Sequence, residues 1–187
     1  MRVPRRVAII ATVVLAGCGL TACSPASAPL ASHLDLAGGS GTVTVLDPGD
    51  LSNLSVQVSS HLFASSALAF VATPGGLDAL VDDAQAATAP LLVAGPGVAG
   101  ELERLGVETV VSAEPDAVGD VGGRPVVGVE PDGVDPTLAP GDGPTESAGA
   151  VVLLTDGEVD AAAKTVVDTN VGLAAGSSVA LPGATRA

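Results

Sequence analysis

Two thiols, Cys18 and Cys23, are the only cysteines in the 187-residue chain, and they lie five residues apart near its start. A disulfide framework needs more cysteines, spread along the chain. A metal site needs further ligands, and the only histidines, His33 and His61, are far away in sequence. A second pattern is "GPGVAG" at 95–100, a literal G-x-G-x-x-G, with Glu114 nineteen residues after Gly95. In a dinucleotide site these glycines would present helix N–H groups to a pyrophosphate. Here Gly106 stops the following helix within two turns and Pro96 removes a donor from the turn, so the glycines read as a tight strand-to-helix connection. No cofactor is expected. Asp78, Asp82 and Asp83 cluster without the spacing of a calcium loop. No serine stands in a G-x-S-x-G elbow, and His61 suits the electrostatics of a helix C-terminus. No catalytic residue and no metal ligand is named, and the chain is not expected to be an enzyme.

The cysteines sit in an export context. Arg2, Arg5 and Arg6 form a basic start, followed by the apolar run Val7 to Gly17. A basic segment, an apolar stretch of about 7–15 residues and a small-residue cleavage zone make a signal peptide. The run is shorter than the ~20 apolar residues that cross a bilayer. Leu15-Ala16-Gly17-Cys18 resembles the lipobox of bacterial lipoproteins, and Leu20-Thr21-Ala22-Cys23 resembles it less closely. The resemblance implies cleavage before Cys18, with Cys23 as the alternative, and acyl chains such as palmitate on the new N-terminal cysteine. Each buried CH₂ contributes about 0.8 kcal/mol, so several chains hold where one holds marginally. The expected location is the extracytoplasmic face of the cell membrane, held through the N-terminal lipid.

Composition narrows the partners. All 21 acids follow residue 34, whereas three of the seven basic residues lie in the signal, so the mature charge is 4 − 21 = −17. Nucleic acid and anionic headgroups require neutralising cations, so no nucleic-acid partner is expected. With no Trp or Tyr and only Phe63 and Phe70 as aromatics, the core must be built from Ala, Val and Leu, with its elements closely packed.

The elements follow from periodicity. Residues 18–41 after the signal at 1–17 are rich in Ser, Ala, Pro and Gly and read as a flexible tether. Strands are expected at 42–46, 67–73, 89–95, 107–113 and 124–130, with helices at 50–63 (N-capped by Asp50), 76–88 and 98–106. This alternation points to a parallel sheet with right-handed crossovers over 42–130. A Pro/Gly-rich loop at 131–149 leads to a partial β-α-β unit at 150–187.

The block from Leu62 to Ala113 resembles the cell wall-binding repeat 2 modules of Gram-positive surface proteins. The matching elements are Asp78-Ala79-Leu80, Ala89-Pro90-Leu91-Leu92, Glu101-Leu102-Glu103-Arg104-Leu105-Gly106 and the valine-rich stretch from Val107. The family's arginine–tyrosine element is absent, and Ser112-Ala113-Glu114-Pro115 stands where the family has paired glycines. The resemblance implies an α/β, Rossmann-like three-layer parallel sheet: one module plus the partial second unit. It gives Asp78, Ala79, Leu80, Pro90, Leu91, Leu92, Leu105 and Gly106 structural roles. It also implies a non-catalytic role in the cell envelope, with a cell-wall polymer or envelope protein as partner. At charge −17, an anionic polymer would need a bridging divalent cation. The other reading of an anchored α/β domain is a solute-binding or transporter-accessory lipoprotein.

Overall fold

The computed structural model describes residues 30–37, 44–46, 50–129, 138–141, 150–155, 160–175 and 177–182, with backbone alone at 44–46, 150–155 and 177–182. The expected α/β architecture is present. A four-stranded parallel sheet has the order β5 (Leu91–Val93), β4 (Leu68–Ala72), β6 (Thr109–Ser112), β7 (Val126–Gly128). From β4 the chain steps outward to β5, then returns past β4 to β6. Because crossovers are right-handed, opposite steps place their helices on opposite faces. Accordingly α2 (Val81–Ala87) packs with Phe70, Leu91, Val93 and Val111 on one face. On the other face, α1 (Leu51–Leu62) and α3 (Val98–Leu105) pack with Ala69, Val71, Leu92 and Val110. Three layers result, compatible with a Rossmann-like fold.

Local chemistry explains most boundaries. The Asp50 carboxylate accepts the Asn53 N–H at 2.8 Å and caps α1 as the sequence predicts. Gly106, at φ 72°, ends α3 in the left-handed conformation that glycine tolerates best. The helix expected from residue 76 begins only at Val81. The Gly76 N–H is taken by the Thr73 carbonyl and hydroxyl, and Leu80 N–H closes a turn on Leu77 O, so 76–80 form successive turns instead.

Two arrangements depart from the sequence reading. Residues 30–37 fall within the expected tether, yet β1 (Leu34–Leu36) pairs antiparallel with β3 (Phe63–Ser66), a strand not foreseen between the helix and β4. Leu34 is 3 % exposed and joins the α1/α3 core, and the Ser32 and Ser66 hydroxyls meet at 3.2 Å. A segment of small polar residues holds here because one leucine fills a core site. Leu34→Ala is expected to cost about 2–4 kcal/mol through the cavity it leaves, measurable by urea unfolding.

The second departure concerns β2 (Thr44–Leu46). The sequence places it in the first module, but it pairs parallel with β8 (Ala150–Thr155), which also pairs parallel with β9 (Ser177–Pro182). The partial second unit is therefore a three-stranded sheet completed by a strand from before the module. The helix between β8 and β9, α4 (Ala161–Leu173), packs on both, and also on α1, α2 and β5.

α4 closes the β5 edge. The Asn170 amide accepts the Leu91 N–H at 3.0 Å and donates to Leu91 O at 2.8 Å, and the Ser55 hydroxyl of α1 accepts the Val93 N–H at 3.0 Å. On a strand edge, outward N–H and C=O groups recur every second residue. Three such groups here find side-chain partners on helices, and both Asn170 and Ser55 are fully buried. Edge groups that would otherwise template another strand are thereby satisfied.

Candidate functional site

In open α/β sheets ligands bind beyond the carboxyl ends of the strands, where successive connections diverge to opposite faces. In this chain that point lies between β4 and β6. The connection after β4 runs to α2, whereas the segment after β6 places Val118 and Val121 in the opposite core. The segments that leave β4 and β6 at this point, and that would flank such a crevice, are Thr73–Gly76 and Ala113–Pro115.

The two segments are joined by a side-chain bridge. Thr73 Oγ1 donates to Glu114 Oε2 at 2.5 Å and accepts the Gly76 N–H at 3.1 Å. Fully buried Ser112 accepts the Glu114 N–H through its hydroxyl at 3.1 Å, which fixes the start of the second segment. A Cβ on Gly76 would lie 3.2 Å from Thr73 Oγ1 and 3.3 Å from Glu114 Oε2, so the backbone passes close beneath the bridge. The titratable group here is a carboxylate. Both described arginines stand at the opposite end of the sheet, where Arg104 Nη2 donates to Phe63 O at 2.9 Å and Arg124 Nε to Val107 O at 2.8 Å.

The dinucleotide-like loop is placed elsewhere. Gly95 and Gly97 follow β5, the edge strand, one strand away from the switch point. A Cβ on Gly95 would approach the Cβ and Oγ of Ser52 to 2.7 Å, and Ser52 Oγ donates to Pro96 O at 3.2 Å. With φ at 152° as well, Gly95 is required by the approach of the α1 N-terminus. Gly95→Ala is expected to destabilise the fold by about 1–3 kcal/mol, checked by thermal unfolding.

The residues of the family-like motifs fall in a turn, a strand and a helix end. Asp78 is exposed in the turn before α2, Ala79 follows it, and Leu80 is fully buried. The buried Pro90 supplies the carbonyl that accepts the Phe70 N–H at 2.8 Å, and Leu91 and Leu92 face opposite cores. Leu105 is in the α3 core and Gly106 is its cap. Within the same motif, Glu101 and Arg104 form a two-pronged ion pair at 2.7 Å per prong. Hydrogen bonding to the Glu101 carboxylate holds the Arg104 guanidinium above its already high ordinary pKa. His61 Nδ1 lies 2.7 Å from Gln57 O and so donates within the last turn of α1. His33 and Asp35 meet at 3.4 Å on the exposed side of β1, and Ser65 donates to the same carboxylate at 2.6 Å.

Leu15, Ala16, Gly17, Cys18 and Cys23 lie outside the described residues. Among the described residues, no group of three His, Cys, Asp or Glu side chains could hold a metal ion, and no helix is long and apolar enough to cross a membrane. Sequence reasoning reached Glu114 only through its spacing from the glycines and did not single out Thr73. Comparison with protein-family models, with curated proteins and with solved structures finds no match for this chain.

Proposed function

We propose that this chain is a lipoprotein anchored at the extracytoplasmic face of the cell membrane, whose α/β domain has a non-catalytic, wall-associated binding or structural role. The observation that carries the reading is Leu15-Ala16-Gly17-Cys18 placed directly after a basic start and a short apolar run. The core and cap positions of Leu80, Leu92, Leu105 and Gly106 support the module resemblance. The partner is a cell-wall polymer or an envelope protein. Mass spectrometry of the mature N-terminus should find acylated Cys18, and Cys18→Ala should move the protein from the membrane to the soluble fraction. Retention of the variant in the membrane would transfer the role to Cys23, and an unacylated mature protein would refute the anchor. Binding to isolated wall should depend on calcium, as the charge of −17 requires if the polymer is anionic.

The crevice favours a second reading, a solute-binding or transporter-accessory lipoprotein. On that reading a hydroxylated or cationic solute raises the melting temperature by mass action, and Glu114→Gln removes the increase. Screening polyols, amino acids and divalent metals by thermal shift separates the two readings.

A further inference from the structure

We infer that the outer edge of β7 is a docking site for an extended polypeptide segment bearing lysine or arginine, which joins the four-stranded sheet as a fifth strand. The edge is present whether or not the chain is lipidated, so this docking goes beyond the membrane anchor. β7 ends the strand order β5-β4-β6-β7. On its inner side, the Pro125 carbonyl just before it accepts the Val110 N–H at 3.0 Å, and the Val129 N–H just after it donates to Ser112 O at 3.0 Å. Backbone groups alternate in direction along a strand, so Val127 shares that inner side. Val126 and Gly128 therefore point their N–H and C=O groups outward. Among the described residues, none of these outward groups has a hydrogen-bond partner. The opposite edge of the sheet differs, because Asn170 and Ser55 take the outward groups of β5. Charged side chains and outward-facing prolines are the usual means of blunting an edge. β7 reads Val-Val-Gly, and Pro125 stands at an inward-facing position, so neither protects it.

Main-chain bonds give an edge site its affinity, and side chains at alternate positions give it selectivity. The surroundings of β7 favour positive charge. Glu108 precedes β6, and Glu114, Asp116 and Asp120 lie between β6 and β7, all of them exposed. Between residues 105 and 129 the only basic side chain is Arg124, and its guanidinium is held by Val107 O at 2.8 Å and Val121 O at 3.1 Å. Val126 packs against the α1/α3 core, whereas half-buried Val127 pairs with Val111 on the α2 side. An added strand thus meets a valine on each face of the sheet. A second copy fits this edge poorly. Three residues of strand span only about 10 Å. Two such edges joined cover far less than the ~1,200–2,000 Å² of a stable interface. Each copy also carries a net charge of −14, so copies repel one another. A short basic segment of another protein meets neither obstacle.

The probe is a short, dye-labelled peptide of alternating Lys and Val, added to the full chain in neutral detergent micelles at low ionic strength. Fluorescence anisotropy should show binding that weakens about tenfold or more when Glu replaces Lys in the peptide. Hydrogen exchange should slow at the Val126 and Gly128 amides and stay unchanged at Leu91, whose N–H is already bonded to Asn170. Methylating the peptide nitrogens of the Lys residues alone, or of the Val residues alone, tests the main-chain bonds on the native protein. The set that faces β7 should bind about tenfold more weakly than the other. Gly128→Pro removes an outward N–H and leaves the bonds to β6 in place, so it should weaken binding about tenfold with the melting temperature retained. Absence of binding, equal binding of the Lys and Glu peptides, or equal binding of the two methylated peptides overturns the proposal. Protection gained elsewhere than at 126 and 128 overturns it too. A chain that protects these amides by dimerising without peptide gives the edge to a second copy and overturns the choice of partner.

Discussion

Asn170→Leu is expected to lower the unfolding free energy by about 3–5 kcal/mol, a large share of the ~5–15 kcal/mol that holds a domain together. The side chain is isosteric enough to fill the space, so the loss is one of hydrogen bonding. The Leu91 N–H and carbonyl face outward from β5 and have the Asn170 amide as their partner, in a site without solvent exposure. Each buried group left without a partner costs about 1–3 kcal/mol. Asn170→Asp keeps an acceptor for the Leu91 N–H but loses the donor, and it buries a charge, so it should be no better. Lys164→Ala, which removes an exposed ion pair with Asp168 on the same helix, is the control and should change stability by about 0.5 kcal/mol or less. Urea unfolding measures all three. Hydrogen exchange at the Leu91 amide should accelerate more than at Leu92, whose pairing with β4 is unaffected.

Arg104→Met should be nearly as severe, at about 3–5 kcal/mol, because the carboxylate it abandons is the buried partner. The Glu101 side chain is 3 % exposed and the Arg104 side chain 38 %, so the pair anchors a half-wet cation over a dry anion. The guanidinium also bonds Phe63 O, tying α3 to the junction of α1 and β3. Arg104→Lys retains the charge but not the fork, and should recover only part of the loss. The double variant Glu101→Leu with Arg104→Met should be more stable than Arg104→Met alone, since it removes the stranded charge. A double variant as unstable as the single one would place the cost in the lost Phe63 bond. The cycle is read by denaturant titration at neutral pH.

The elements that read well from sequence are those with strong local signals. Alternating apolar strands, the Asp50 cap and Gly106 marked the central sheet and its helices, because burial on both faces produces continuous Val/Leu/Ala runs. β1 and β3 were not legible. Three or four residues with Ser, Asp and Ala carry no periodicity, and their pairing depends on where Leu34 can be buried. The partnership of β2 with β8 was equally hidden, since a parallel neighbour leaves no mark on the intervening sequence. In the crevice, Glu114 could be noticed, but its bridge to Thr73 exists only because the strand order brings β4 beside β6. Asn170 offered one usable signal, an amide among Val166, Val167 and Val171 on the apolar side of a helix.

The pairing of β2 with β8 has a kinetic consequence. Thr44 meets Val151 only after more than a hundred intervening residues have been made, so the closing entropy is paid late and in one step. Contacts of such long separation slow the folding reaction. The four-stranded sheet has its strands within 68–128 and can assemble first, whereas β2 must wait for β8. For a chain that leaves the ribosome in order, this postpones completion of the fold until β8 has emerged. Refolding from urea should accordingly show two phases, with amide protection within 68–128 gained in the faster one and protection of β2 and β8 in the slower one.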